Sequence, residues 1–179
     1  MNSTTLIVLI AALLAFAYFG YRNASGRANR ARQLAPLRNA PAAAADFTTP
    51  EGAILMLEDA FRRRDLEAAV AAKDFRIEAE LESQAAGVSP IDRDVAVEAR
   101  AGELEAQFRA LMTQSWPDFT GVISFFVERQ PYRPSTGHTS ALSFAVVTEV
   151  NRYAQGGDSQ HRILVAETPR GWRVLNPLG

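Results

Sequence analysis

Read from its N-terminus, the chain opens with an unbroken apolar run, passes into helical periodicity and ends in the alternation of strands. Residues 2–21 carry no charged side chain, and Leu6 to Phe19 is almost entirely Leu, Ile, Val, Ala and Phe. Helical residues rise about 1.5 Å each, so a run of this length reaches roughly 30 Å, the thickness of a bilayer's hydrocarbon core. Residues 1–21 are therefore predicted to be a single transmembrane anchor, with Tyr18 and Tyr21 at the depth where interfacial aromatics gather. A secretory signal peptide is the competing reading. No Lys or Arg precedes Leu6, however, and no clean small-x-small cleavage site follows.

Residues 22–46 are rich in Arg, Ala, Asn and Pro, show no sustained apolar stripe and read as a linker. Residues 47–179 form the predicted domain. Thr49 with Pro50 behind it, or Thr48 with Glu51 in a capping box, starts a helix that carries Ile54, Leu57 and Phe61 on one face and ends near Arg64. A second short helix is expected from Asp65, with Leu66, Ala69 and Val70 inward. Residues 74–86 are ambiguous. Phe75, Ile77, Ala79 and Leu81 alternate as in a strand, while the Glu, Ala and Leu content favours a helix. Gly87 to Pro90 breaks the chain. Residues 92–114 give the clearest helix, with Val97, Ala101, Leu104, Phe108, Leu111 and Met112 on one side and glutamates opposite.

From Phe119 the period becomes two. Strands are expected over Val122 to Arg129, Ser140 to Tyr153, His161 to Glu167 and Trp172 to Leu175. Gln155 to Ser159 and Thr168 to Gly171 supply hairpin turns, and Pro131 to His138 a longer loop. Helices first and an antiparallel meander afterwards define an α+β class. The expected core is Phe61, Leu66, Leu104, Phe108, Phe144, Val146, Leu164 and Trp172.

Composition changes this picture in two places. The net charge of −1 conceals an asymmetry, because all 20 acidic residues lie from Asp46 onward, together with 14 of the 19 basic ones. That region carries −6, which suits a basic protein partner and argues against nucleic acid, whose phosphates need clustered Lys and Arg. The five remaining arginines (Arg22, Arg27, Arg30, Arg32 and Arg38) all follow the apolar run. By the positive-inside tendency they keep the domain in the cytoplasm; the opposite topology would place it in the periplasm. The chain has no cysteine, which excludes disulfides and thiol chemistry.

The order of elements resembles the NTF2-like superfamily. The match lies in the opening Thr49-Pro50-Glu51 helix running into Arg64-Asp65-Leu66-Glu67-Ala68-Ala69, and in the closing hairpin from Arg162 to Val174. The runs Leu57 to Phe61, Lys73-Asp74-Phe75 and Gly171 to Pro177 look like the NTF2-fold immunity proteins of bacteria, which are taken to neutralise a cognate toxin. The resemblance implies a cone of N-terminal helices packed on one face of a curved antiparallel sheet. It also implies a protein-binding role and allows a homodimer through face-to-face pairing of sheets, while the N-terminal anchor, which lies outside the resemblance, would place the protein at a bacterial inner membrane. Its alternatives are a small-ligand carrier, an isomerase- or dehydratase-type enzyme, and a periplasmic scaffold component of a secretion complex.

Enzymes of that superfamily place an Asp, His or Tyr inside the cone, which here makes Asp74, Asp118, His138, His161 and Tyr153 the candidates. Each has a plainer role available: a cap for Asp74, a solvated turn for His138, a hydrogen-bonded structural group for His161. No nucleophile triad, phosphate-cradling loop or paired metal ligands appear, so no catalytic, cofactor or metal residue is assigned. Arg62 to Arg64 read as a solvated helix end, Trp116-Pro117-Asp118 as a helix stop under the sheet, and Glu98, Glu103 and Glu105 as an exposed face that could meet a basic partner.

Overall fold

Thr49 opens the first helix as its composition requires. In the computed structural model, which describes residues 43–89, 93–134 and 142–177, its Oγ1 accepts the Gly52 N–H at 3.0 Å, and Pro50 takes the first helical position. Thr48 forms no capping box; it bonds Asp46 instead. Helix α1 (Pro50–Arg63) ends at Arg64, whose φ of 53° lies in the left-handed region. Helix α2 (Leu66–Ala71) starts on Asp65, which accepts the Ala68 N–H at 3.0 Å. The ambiguous stretch is a helix, α3 (Phe75–Ala85), capped by Asp74. Helix α4 (Arg93–Gln114) follows. The anchor, most of the linker and His138 lie outside the described residues. Among the described residues no helix is long and apolar enough to cross a membrane.

Four strands follow, β1 (Ile123–Tyr132), β2 (Phe144–Arg152), β3 (Asp158–Thr168) and β4 (Gly171–Pro177), in an antiparallel meander of order β1-β2-β3-β4. The α+β class and strand order are as expected, with two boundary corrections. Pro131 and Tyr132 belong to β1, not to a loop, because β1 is an edge strand and tolerates a residue without an N–H. The second turn begins at Ala154, and Asp158 and Ser159 already pair across the β2–β3 hairpin.

The register corrects the expectation that helices cover one face alone. Ala145, Val147, Val165 and Val174 share one face of the sheet and pack on Ala53 and Ile54 of α1. Phe144, Val146, Leu164, Ala166 and Leu175 share the other and pack on Ile77 of α3, with Leu81 beside it. Phe144-Ala145-Val146-Val147 is apolar at both parities, the mark of a strand buried on both sides.

The chain passes from one face to the other along the outer edge of β4. Lys73 makes a single parallel bridge to Val174; the Val174 N–H bonds Ala72 O at 2.9 Å and its carbonyl accepts the Asp74 N–H at 3.4 Å. The next outward N–H, of Trp172, bonds Phe47 O at 2.8 Å. These two segments satisfy an edge that would otherwise stand open. The approach of Phe47 depends on Gly171. A Cβ there would lie 2.4 Å from Phe47 O, and the φ of 89° is itself unfavourable for an L side chain. Gly171→Ala is therefore expected to cost at least about 1–3 kcal/mol in a urea titration.

Helix α4 packs on α3 through Val97 and Leu104, against Phe75 and Ala79. Its 22 residues run well past the 11 of α3. Beyond that overlap the buried stripe moves to Met112 and leaves Leu111 56% exposed, a correction to the expected face. The C-terminal part of α4 meets an aromatic group in which Phe61 touches Phe108, Trp116 and Phe119. Trp116 thus packs edge-on against Phe61 of α1. Of the expected core, Leu104, Phe144, Val146 and Leu164 are buried, while Phe61, Leu66, Phe108 and Trp172 are half-buried.

Candidate functional site

The stripe of α1 that faces the sheet turns from apolar to acidic at its C-terminal end. Glu58 lies four residues after Ile54 and so on the same face. On the facing strand, Glu149 lies two residues after Val147 and points the same way. Both are buried, at 2% and 3% exposure. Glu58 Oε1 accepts from Ser124 Oγ at 2.6 Å and its Oε2 from Arg62 Nη2 at 2.9 Å. Glu149 Oε2 accepts from Asn151 Nδ2 at 3.1 Å, while its Oε1 meets no donor. Burial pushes the Glu149 carboxyl up to about 8. The charge of Glu58 and a hydrogen bond to it act in the same sense, against Asn151 and Arg62.

Beside this pair runs a chain of polar groups: Tyr153 Oη to Ser159 Oγ at 2.9 Å, and Ser159 Oγ to His161 Nε2 at 2.9 Å. His161 sits opposite Glu149 in the β2–β3 register and on the same face as Ile163 and Val165, as the alternation predicted, but it is exposed. The structure thus brings two sequence candidates, Tyr153 and His161, next to two glutamates that the sequence reading passed over. The available signal was a glutamate standing on each of two apolar stripes.

The other candidates lie elsewhere. Asp74 caps α3, accepting the Ile77 N–H at 3.1 Å, and meets Arg170 at 3.4 Å. Asp118 is exposed and accepts the Thr120 N–H, which together with the Thr120 side chain holds its carboxyl below the ordinary value. Glu98, Glu103 and Glu105 are paired within the domain with Arg76, Arg100 and Arg109, so this face is largely neutralised by its own arginines. Arg62 and Arg63 likewise pair with Glu58 and Asp59. Among the described residues no group of three or more His, Asp or Glu could hold a metal ion.

The Asp74–Arg170 pair divides two adjoining surface grooves. One, of about 390 Å³, is lined by Val70, Phe75 and Ala101 together with Lys73, Glu98 and Glu105. The other, of about 330 Å³, has Ile77, Leu142 and Pro169 with Glu80. Asp74, Arg76 and Arg170 line both. The cap of α3 places Asp74 here, and the tight β3–β4 turn, in which Thr168 Oγ1 accepts the Arg170 N–H at 3.1 Å, places Arg170.

Compared with known proteins, the chain matches no family model, no curated protein and no solved structure.

Proposed function

We propose that the domain works by binding another protein, tethered to a bacterial inner membrane through residues 2–21 with the domain on the cytoplasmic side. The observation that carries this reading is the pair of grooves beside Arg170. Apolar side chains and charged ones of both signs line them together, and the Asp74–Arg170 ion pair lines both. Such a mixture of apolar surface with charged groups is what a protein interface offers. The overall charge of −6 from Asp46 onward favours encounter with a basic partner, even though Glu98, Glu103 and Glu105 are locally paired. The helices-then-meander order supports an NTF2-like assignment, and with it a role as an immunity protein against a toxin. The covering of both sheet faces departs from that pattern.

The test is a photo-reactive residue placed in the full chain in its native cells. Positions Arg170 and Glu80 are expected to give one discrete crosslinked species, and exposed Gln160 of β3 none. Crosslinking from Gln160 alone, or from no position, rejects the groove as the binding surface. A second reading, binding of a small ligand, is favoured by the Glu58–Glu149 pair lying beside Tyr153, Ser159 and His161. It predicts that Glu149→Gln abolishes ligand uptake while position Arg170 crosslinks to nothing.

A further inference from the structure

The seam between α1 and the sheet holds more acceptor atoms than protons. Ser124 Oγ has a single hydrogen, yet it faces Glu58 Oε1 at 2.6 Å and Asn151 Oδ1 at 2.9 Å. Turning the Asn151 amide over relieves the second contact. It then sets Asn151 Oδ1 against Glu149 Oε2, which is again two acceptors face to face unless Glu149 carries a proton. Charge gives the same count. Two buried carboxyls share one guanidinium, Arg62, which stands at the rim with its side chain 36% exposed. Two carboxylates sharing one site do not both ionise near neutrality.

We propose that Glu58 and Glu149 hold one proton between them at neutral pH, and that losing it releases the C-terminal half of α1 from the sheet. The seam is then a proton-operated latch. The N-terminal half of α1 stays anchored in the apolar cluster by Ile54, with Leu57 packed against it, so the opening is confined to the turns from Glu58 to Arg63.

The groups facing the pair are few. From α1 come Arg62 and, two turns before Glu58, Glu51, which pairs with Arg129 of β1. β1 supplies the hydroxyl of Ser124 and β2 the amide of Asn151. β3 supplies His161 opposite Glu149, bonded to Ser159, which also holds Tyr153. His161→Gln is therefore the control among the facing groups.

The folded form binds the shared proton more tightly than the unfolded chain does. Its advantage is complete in acid and is lost as pH rises from the ordinary glutamate value toward about 8. The experiment uses the full chain in mild detergent between pH 6 and pH 9. Amide-exchange protection factors over Glu58 to Arg63, corrected for intrinsic rate, are expected to fall at least about tenfold, the effect of one unit of proton affinity. Protection in β2 and β3 should stay unchanged. Glu149→Gln and Glu58→Gln should each flatten the dependence, and His161→Gln should leave it intact. A protonated-carboxyl band in the infrared should be present in the unsubstituted protein at pH 6 and lost by pH 9, a readout that survives if either variant fails to fold. Absence of that band, a dependence unchanged in both glutamine variants, or one abolished by His161→Gln overturns the proposal. Each of these results is independent of whether the grooves at Arg170 bind a partner.

Discussion

Replacing Lys73 by Met is expected to destabilise the domain by about 3–5 kcal/mol at neutral pH, the cost of leaving a buried charge without its partner. Lys73 Nζ lies 2.6 Å from Glu78 Oε1, with the two side chains 6% and 4% exposed. The ammonium also stands 5.4 Å from the ring centre of Phe75 and 5.7 Å from that of Phe108. Methionine keeps the length and the apolar contact but removes the charge. Burial already raises the Glu78 carboxyl above its ordinary value, against the pull of Lys73, and without that pull it rises further. A carboxyl whose folded value exceeds its unfolded one loses stability as pH climbs between the two. The deficit should therefore be smaller at about pH 4, below the ordinary glutamate value, than at about pH 8. Urea unfolding of the full chain in detergent at both pH values measures it. The double change Lys73→Met with Glu78→Met should recover most of the loss, since an apolar replacement of both partners leaves no stranded charge. A double variant as unstable as the single one would show that shape, and not charge, sets the cost.

Leu175→Ala should cost about 2–5 kcal/mol, with the spread set by how far the neighbours can close on the space. Leu175 is 1% exposed and packs with Ile77, Phe144, Val146, Leu164 and Ala166. It is the contribution of β4 to the face covered by α3, so the truncation loosens a helix and a strand together. Val95→Ala is the control. That residue is 78% exposed on α4, and the change should stay within about 0.5 kcal/mol. Equal effects from the two substitutions would show that the cluster around Leu175 does not hold the sheet to α3.

Much of the architecture was legible because local chemistry writes it. Thr49 before Pro50, Asp65 before Leu66, and Thr168-Pro169-Arg170-Gly171 each fix a cap or turn within four residues, whatever the rest of the chain does. The stretch from Phe75 to Leu81 was not legible, for a physical reason. Phe75 and Ala79 face α4, while Ile77 and Leu81 face the sheet. Two stripes of period four, offset by two residues, imitate the alternation of a strand. Glu58 and Glu149 escaped notice because a buried carboxyl is invisible until something is known to cover it. Glu58 stands in a helix and Glu149 in a strand, and neither carries a local mark of the element that covers it. Asp74 was rightly read as a cap, although it begins a helix where an end was expected.

The two borders of the sheet are unequal. β4 is end-blocked by Phe47 and the Ala72–Asp74 segment, whereas among the described residues nothing pairs with the outer side of β1. In the language of chain growth, each molecule is a unit with one reactive end. A second copy adding there along a two-fold axis would use up the free border of both molecules and leave nothing for a third. Strand addition therefore terminates at a pair, and the crossing that carries the chain from one face to the other also works as a stopper against fibres.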